Sequence, residues 1–208
     1  MSLPVDPQLY LAYLGVMLVF VITPGPAILF AVASGVRQGP RGVALATAGM
    51  NLANVVWYLA AALGLSAIAS AFPAAFAVLR WAGIAYLAWL GLANLEAARR
   101  GEAPHGGSVR STGRPFRDGL IVQLSNPKAL LFITAVLPPF IAPDRALAPQ
   151  IFFFAAASIA CDVMAMLAYG LSGAALAREL ARPGARRLLS GAAGLLFLLA
   201  ALLILIRR

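Results

Sequence analysis

The sequence predicts an all-α integral membrane protein: six transmembrane helices in a 3+3 inverted repeat, with spans one and four broken at proline motifs. Three observations carry that prediction. The first is composition: of 208 residues, 62% are hydrophobic and only 11% charged, with a mean hydropathy of +0.90, far from a soluble profile. The second is a series of apolar runs longer than the roughly 18 residues that mark a membrane helix, separated by short gaps that carry arginines. The third is a pair of proline motifs inside those runs, Thr23-Pro24-Gly25-Pro26 and Ser125-Asn126-Pro127-Lys128. The chain reads as one transmembrane domain over 1–208. Its first half covers about 1–98, a cytoplasmic linker about 99–117, and its second half about 118–208.

Span one is expected over 9–36. Met1 to Asp6 contains no basic residue and the first in the chain is Arg37, so the positive start of a cleaved signal peptide is missing and the segment should stay as a span. Pro24 and Pro26 have no amide proton, which deprives the carbonyls of Phe20 and Ile22 of their helical donors. Span two, over 43–70, carries Asn51 and Asn54 and is separated from span three by Pro73. Span three, over 74–98, has Arg80 one turn inside its start, where the long stem can snorkel beside Trp81. The linker that follows is polar and contains Gly, Pro and Ser. Span four, over 119–142, is broken at Pro127, which frees the carbonyl of Gln123, and Pro138-Pro139 should kink its outer end. Span five, over 150–177, holds Asp162. Span six, over 188–206, has Gly191 and Gly194, which allow close helix contact within the chain or in a homodimer.

The arginines set the orientation. Eleven lie in the gaps between spans one and two, three and four, and five and six, against four on the other side. The positive-inside rule then puts both termini outside the cytoplasm, with the pair Arg207 and Arg208 arguing weakly the other way. The net charge of +9 is therefore a topology signal across the cytoplasmic membrane rather than a surface for nucleic acid.

The halves resemble one another. Pro26 to Phe30 aligns with Pro127 to Leu131, and Asn54 to Ala60 with Asp162 to Ala168. Three spans per half is an odd number, so the second half enters from the opposite side and the repeat is inverted. Depth agrees: Pro26 lies 11 residues from Arg37 and Pro127 lies 10 from Arg117. At 1.5 Å per residue both are roughly 15 Å from the cytoplasmic edge, near the middle of a core about 30 Å thick. Paired helix breaks at the midplane point to a transporter's substrate site.

Lys128 and Asp162 are the only ionisable side chains deep within the spans. Each costs about 2.5–3.5 kcal/mol near a helix centre on insertion scales, so each should face a cavity or the other. A purely structural ion pair locking spans four and five is one reading. The functional reading is a site for a zwitterion, made of Thr23, Pro24, Gly25, Pro26, Asn51, Asn54, Asn126, Pro127, Lys128 and Asp162. Helices restarting after Pro26 and Pro127 would aim free amides at an anion such as a carboxylate, with Lys128 as a point charge. The freed carbonyls of Phe20 and Ile22, with Asp162 and Asn54, would receive an ammonium group. Asp162 is also the candidate proton carrier. Gln123 and Ser158 read as packing, and the tryptophans and tyrosines as packing or interfacial residues.

These residues resemble the lysine exporter family, the LysE/RhtB-type amino-acid exporters. The similarity rests on Ile22-Thr23-Pro24-Gly25-Pro26, the Arg37-Gln38-Gly39 turn, Gly49 through Gly64-Leu65, Asn126-Pro127-Lys128-Ala129 and Leu137-Pro138-Pro139-Phe140. It implies a six-span inner-membrane exporter of amino acids or related metabolites, driven by exchange with protons. Members commonly carry an acid in span two where this chain has Asn54. That departure leaves Asp162 as the one candidate for proton coupling and favours a neutral substrate over lysine or arginine.

Rival classes fare worse. Export of another small metabolite or ion fits the same scaffold. An intramembrane enzyme needs a nucleophile–base pair or metal ligands, but the one histidine, His105, sits in the linker and the one cysteine, Cys161, has no partner of its kind. No metal and no cofactor are expected. A structural membrane partner has no need of charges beside two helix breaks.

Overall fold

The computed structural model describes residues 4–23, 25–100, 112–173 and 182–206. Pro24, most of the linker with His105 and Arg110, Arg178, and the terminal Ser2, Arg207 and Arg208 lie outside the described residues, as does the side chain of Arg80. All regular structure among the described residues is helical.

Helix α1 (Pro7–Ile22) starts where Asp6 accepts 3.0 Å hydrogen bonds from the amides of Gln8 and Leu9, with Pro7 in the first turn. It stops at Thr23, whose backbone is extended. Helix α2 (Pro26–Ala71) has two limbs joined at Gly39, where φ is 64° and ψ is −160°. Only glycine adopts that geometry freely, and Pro40 opens the second limb. Helix α3 runs Pro73–Arg100, and α4 runs Pro115–Leu124. After Ser125 and Asn126 comes the short α5 (Pro127–Leu131), a π-helical turn (Phe132–Val136) and a 3-10 turn (Pro138–Phe140). Helices α6 (Leu147–Ser172) and α7 (Pro183–Ile206) complete the chain.

Three helical stretches among the described residues are long and apolar enough to cross a membrane: Pro26–Leu65, Leu147–Ser172 and Pro183–Ile206. The bent pair Pro115–Leu124 and Pro127–Phe140 makes a fourth if taken as one span, its limbs meeting at 48°. These make the chain a multi-pass membrane protein. At the diproline the regular helix gives way to other turns. Pro138 and Pro139 remove the donors for two carbonyls behind them, and the turn before them widens, so that the Leu137 amide reaches Phe132 at 2.8 Å.

Helix α2 packs on α4 and α6, α1 on α6 and α7, and α3 on α7 and the turns after α5. Glycine permits the α2–α4 approach. A Cβ on Gly49 would run into the Phe116 carbonyl, and one on Gly119 into the Ala46 carbonyl. At the other end of the bundle lies an aromatic layer. The Tyr13 ring sits 4.5 Å from Phe154, 5.5 Å from Phe140 and 5.7 Å from Phe132. Beyond it, fully buried Gln150 accepts from the Ala142 amide and donates to the carbonyls of Ala142, Arg145 and Ala146. Arg145 reaches the Val5 carbonyl at 3.1 Å, which ties this loop to the start of α1.

Candidate functional site

The two proline motifs meet. The Lys128 side chain leaves the start of α5 and crosses to the end of α1, where its ammonium donates to the Phe20 carbonyl and, at 2.8 Å, to the Thr23 carbonyl. The same nitrogen stands 4.9 Å from the centre of the Phe20 ring, a cation–π distance. Each of the three carbonyls freed at these two breaks has found a new donor. The Tyr169 hydroxyl serves Ile22 at 2.8 Å, and the Asn126 amide serves Gln123 at 3.2 Å. Unpaired backbone groups inside a membrane cost several kcal/mol each, so this replacement is what lets the breaks persist.

A cavity of about 70 Å³ lies at this junction. Of the residues expected at a site, Thr23, Gly25, Asn54, Asn126, Lys128 and Asp162 line it. Pro26 and Pro127 stand beside it as the first residues of α2 and α5, and Asn51 is buried behind it against Asp162. Pro24 is outside the described residues. Among the described residues, Asp162 is the one acidic side chain on the lining and Lys128 the one basic. Among the described residues no direct ion pair joins them, so the lysine is held by backbone carbonyls and the aspartate by an amide.

Side-chain amides connect the two charged positions. Asn126 accepts from the Lys128 backbone amide at 3.0 Å and donates to Gln123 at 3.0 Å. Gln123 donates to Asn54 at 2.7 Å, Asn54 to Asn51 at 3.3 Å, and Asn51 to the Asp162 carboxylate at 3.0 Å. The i, i+3 spacing of Asn51 and Asn54 puts both on one face of α2, so that Asn54 on the cavity lining reaches Asn51 behind it. The glycine-permitted approach of α4 brings Gln123 within reach.

The sequence reading missed part of the lining. Gln123 and Ser158, taken as packing, both face the cavity, as do Trp57 and Tyr58. Tyr58 donates to Ser158 at 2.6 Å and stands 2.7 Å from the Tyr13 hydroxyl, which also contacts Ser158. These three hydroxyls join α1, α2 and α6 just below the aromatic layer. The Trp57 indole N–H is buried without a hydrogen-bond partner among the described residues. The available signal was spacing: Tyr58 lies one turn beyond Asn54, and Ser158 one turn before Asp162. Among the described residues no cluster of His, Cys, Asp and Glu has the makings of a metal site.

The profile of the LysE type translocator family matches residues 18–208. A homoserine/homoserine lactone efflux protein of Salmonella typhi is 30% identical over 190 residues, 91% of this chain and 92% of that protein. A leucine efflux protein of Enterobacter sp. (strain 638) is 31% identical over 122 residues, 58% of each chain. An uncharacterized membrane protein of Vibrio cholerae is 28% identical, covering 86% of this chain and 87% of its own. No solved structure matches significantly.

Proposed function

The chain belongs to the LysE type translocator family, and from that premise we propose that it exports small amino acids or close derivatives across the cytoplasmic membrane in exchange for protons. Homoserine and leucine, named for its relatives, are the first candidates. The observation that carries the reading is the cavity where the two proline breaks meet, with Lys128 and Asp162 on its wall and no ion pair between them. A cation and an anion that do not neutralise each other suit a substrate bearing both signs. With Asp162 the only acid on the lining among the described residues, the site favours a neutral amino acid over a cationic one.

Six crossings and an inverted repeat complete the proposal. Take α1 with the first limb of α2 as span one, and α4 to the 3-10 turn as span four. Exchanging spans one, two and three with four, five and six then turns the α1–α6 contact into α4–α2 and, taken by whole spans, the contact of span three with span four into that of span six with span one. The contacts α2–α6 and α3–α7 map onto themselves. That pattern supports two related halves. Alternating access requires closure on one side of the site at a time, and the layer of Tyr13, Phe132, Phe140 and Phe154 suits the closure on the side that holds the termini. Asp162, on the lining of the cavity, carries the proton.

The test is efflux of labelled homoserine and leucine from proteoliposomes holding the purified protein. Saturable efflux of at least one, dependent on a pH gradient, is expected. If both leave at the rate of protein-free vesicles, the substrate assignment fails.

A further inference from the structure

We propose that the carbonyl end of α1, together with the Phe20 ring, is a subsite for a primary ammonium group, which Lys128 fills between substrates and a zwitterionic substrate takes over. Substrate class rests on the export reading above; the subsite rests on geometry alone. Three features converge on one point. The Phe20 and Thr23 carbonyls accept from the Lys128 ammonium. They close the C-terminal end of α1, where the helix dipole presents negative partial charge. The Phe20 ring adds its face at 4.9 Å. Phe20, Thr23 and Lys128 all border the cavity, so the subsite opens on the space a substrate would enter.

The α-ammonium of an amino acid is chemically the group that Lys128 now places there, and two ammonium groups at one set of carbonyls repel each other. Lys128 sits on a flexible four-carbon stem and can turn back into the cavity. There it needs an anion, and the substrate's own carboxylate supplies one. An amine without a carboxylate displaces the lysine and gives it no new partner. A carboxylate without an ammonium leaves the lysine where it is. Lys128 therefore selects molecules that carry both groups.

The test uses 3-aminopropan-1-ol, which is homoserine without its carboxylate, titrated calorimetrically into purified protein in nanodiscs. Lys128→Met and Lys128→Gln each vacate the subsite and should bind this amine at least about tenfold more tightly than wild type, the scale of one charge-assisted hydrogen bond. Adding Phe20→Leu to either should reverse part of the gain. Unchanged or weaker amine binding in the folded variants overturns the subsite. Lys128 is the only lysine in the chain, so its 15N-labelled ammonium resonance tests the wild type without mutation. Homoserine should move the signal and N-acetylhomoserine should not; a signal unmoved by saturating homoserine overturns the exchange. Tight amine binding by the variants without homoserine transport keeps the subsite and removes the substrate reading. Homoserine transport without the gain in amine binding does the reverse.

Discussion

Replacing Asp162 with asparagine separates binding from coupling. The Asp162 carboxylate accepts a 3.0 Å hydrogen bond from Asn51 through one oxygen, and an asparagine carbonyl of the same shape can accept that bond unchanged. Membrane yield and exchange of labelled for unlabelled homoserine, with no gradient applied, should therefore survive Asp162→Asn. What should vanish is accumulation. One proton moved down a gradient of one pH unit supplies about 1.36 kcal/mol, enough for a tenfold concentration ratio. With a single acid on the cavity wall, one proton per substrate is the expected ratio. Wild-type vesicles should thus build up to about tenfold more homoserine on the acidic side per pH unit, and the variant should stop at equal concentrations. The assay is accumulation in proteoliposomes with an imposed pH gradient, read beside counterflow without one. A variant that still concentrates substrate as wild type does would refute the assignment and leave Asp162 as an anchor for Asn51.

Other consequences are structural. Gln150→Leu removes four hydrogen bonds from a fully buried amide; stranding the loop's backbone groups should cost about 1–3 kcal/mol, seen as a lower melting temperature in detergent. Gly49→Ala drives a methyl group into the Phe116 carbonyl, a clash that rotamer change cannot relieve, and should destabilise by about 1–3 kcal/mol while loosening the Gln123–Asn54 contact. In a Cys161→Ser background, a cysteine placed at Ser2 should react with an impermeant reagent applied to intact cells and one at Ser108 should not. Labelling the other way round would invert the topology.

The sequence and the structure agree where the determinants are local. Missing amide protons at Pro26 and Pro127 and the one-turn spacing of Asn51 and Asn54 are properties of a few adjacent residues, and they place Thr23, Asn54, Asn126, Lys128 and Asp162 around one cavity without any tertiary knowledge. The direction of the Lys128 side chain was not legible in this way. Motif reasoning sends it toward an anion; the structure sends it to the end of α1, where carbonyls at the proline break accept from it and the lysine stem is long enough to reach them. The sequence reads Ser158 as packing, and Tyr13 and Tyr58 as packing or interfacial, for a related reason. A tyrosine in an apolar helix looks the same in sequence whether it faces lipid, core or cavity, and only the packing of α1, α2 and α6 decides. The diproline marks where the regular helix gives way, but the form of the break, a widened turn closed by the Leu137 amide on Phe132, is not written in the two prolines alone.

The chain of amides between Lys128 and Asp162 has a sense of direction. It starts at a backbone N–H, which can only give a hydrogen bond, and ends at a carboxylate oxygen, which can only take one. Every amide between them is thereby compelled to present oxygen backward and nitrogen forward; turning any one over sets like against like at both neighbours. The dipoles of Asn126, Gln123, Asn54 and Asn51 are then consecutive and mutually polarising. Such a row transmits no proton, since amides do not pass one along, but it does transmit the state of its terminus. When the carboxylate is neutralised the last link weakens, and that loss of polarisation travels down the row to the amide at the head of α5. News of a proton at one wall of the cavity thus arrives at the helix break on the other.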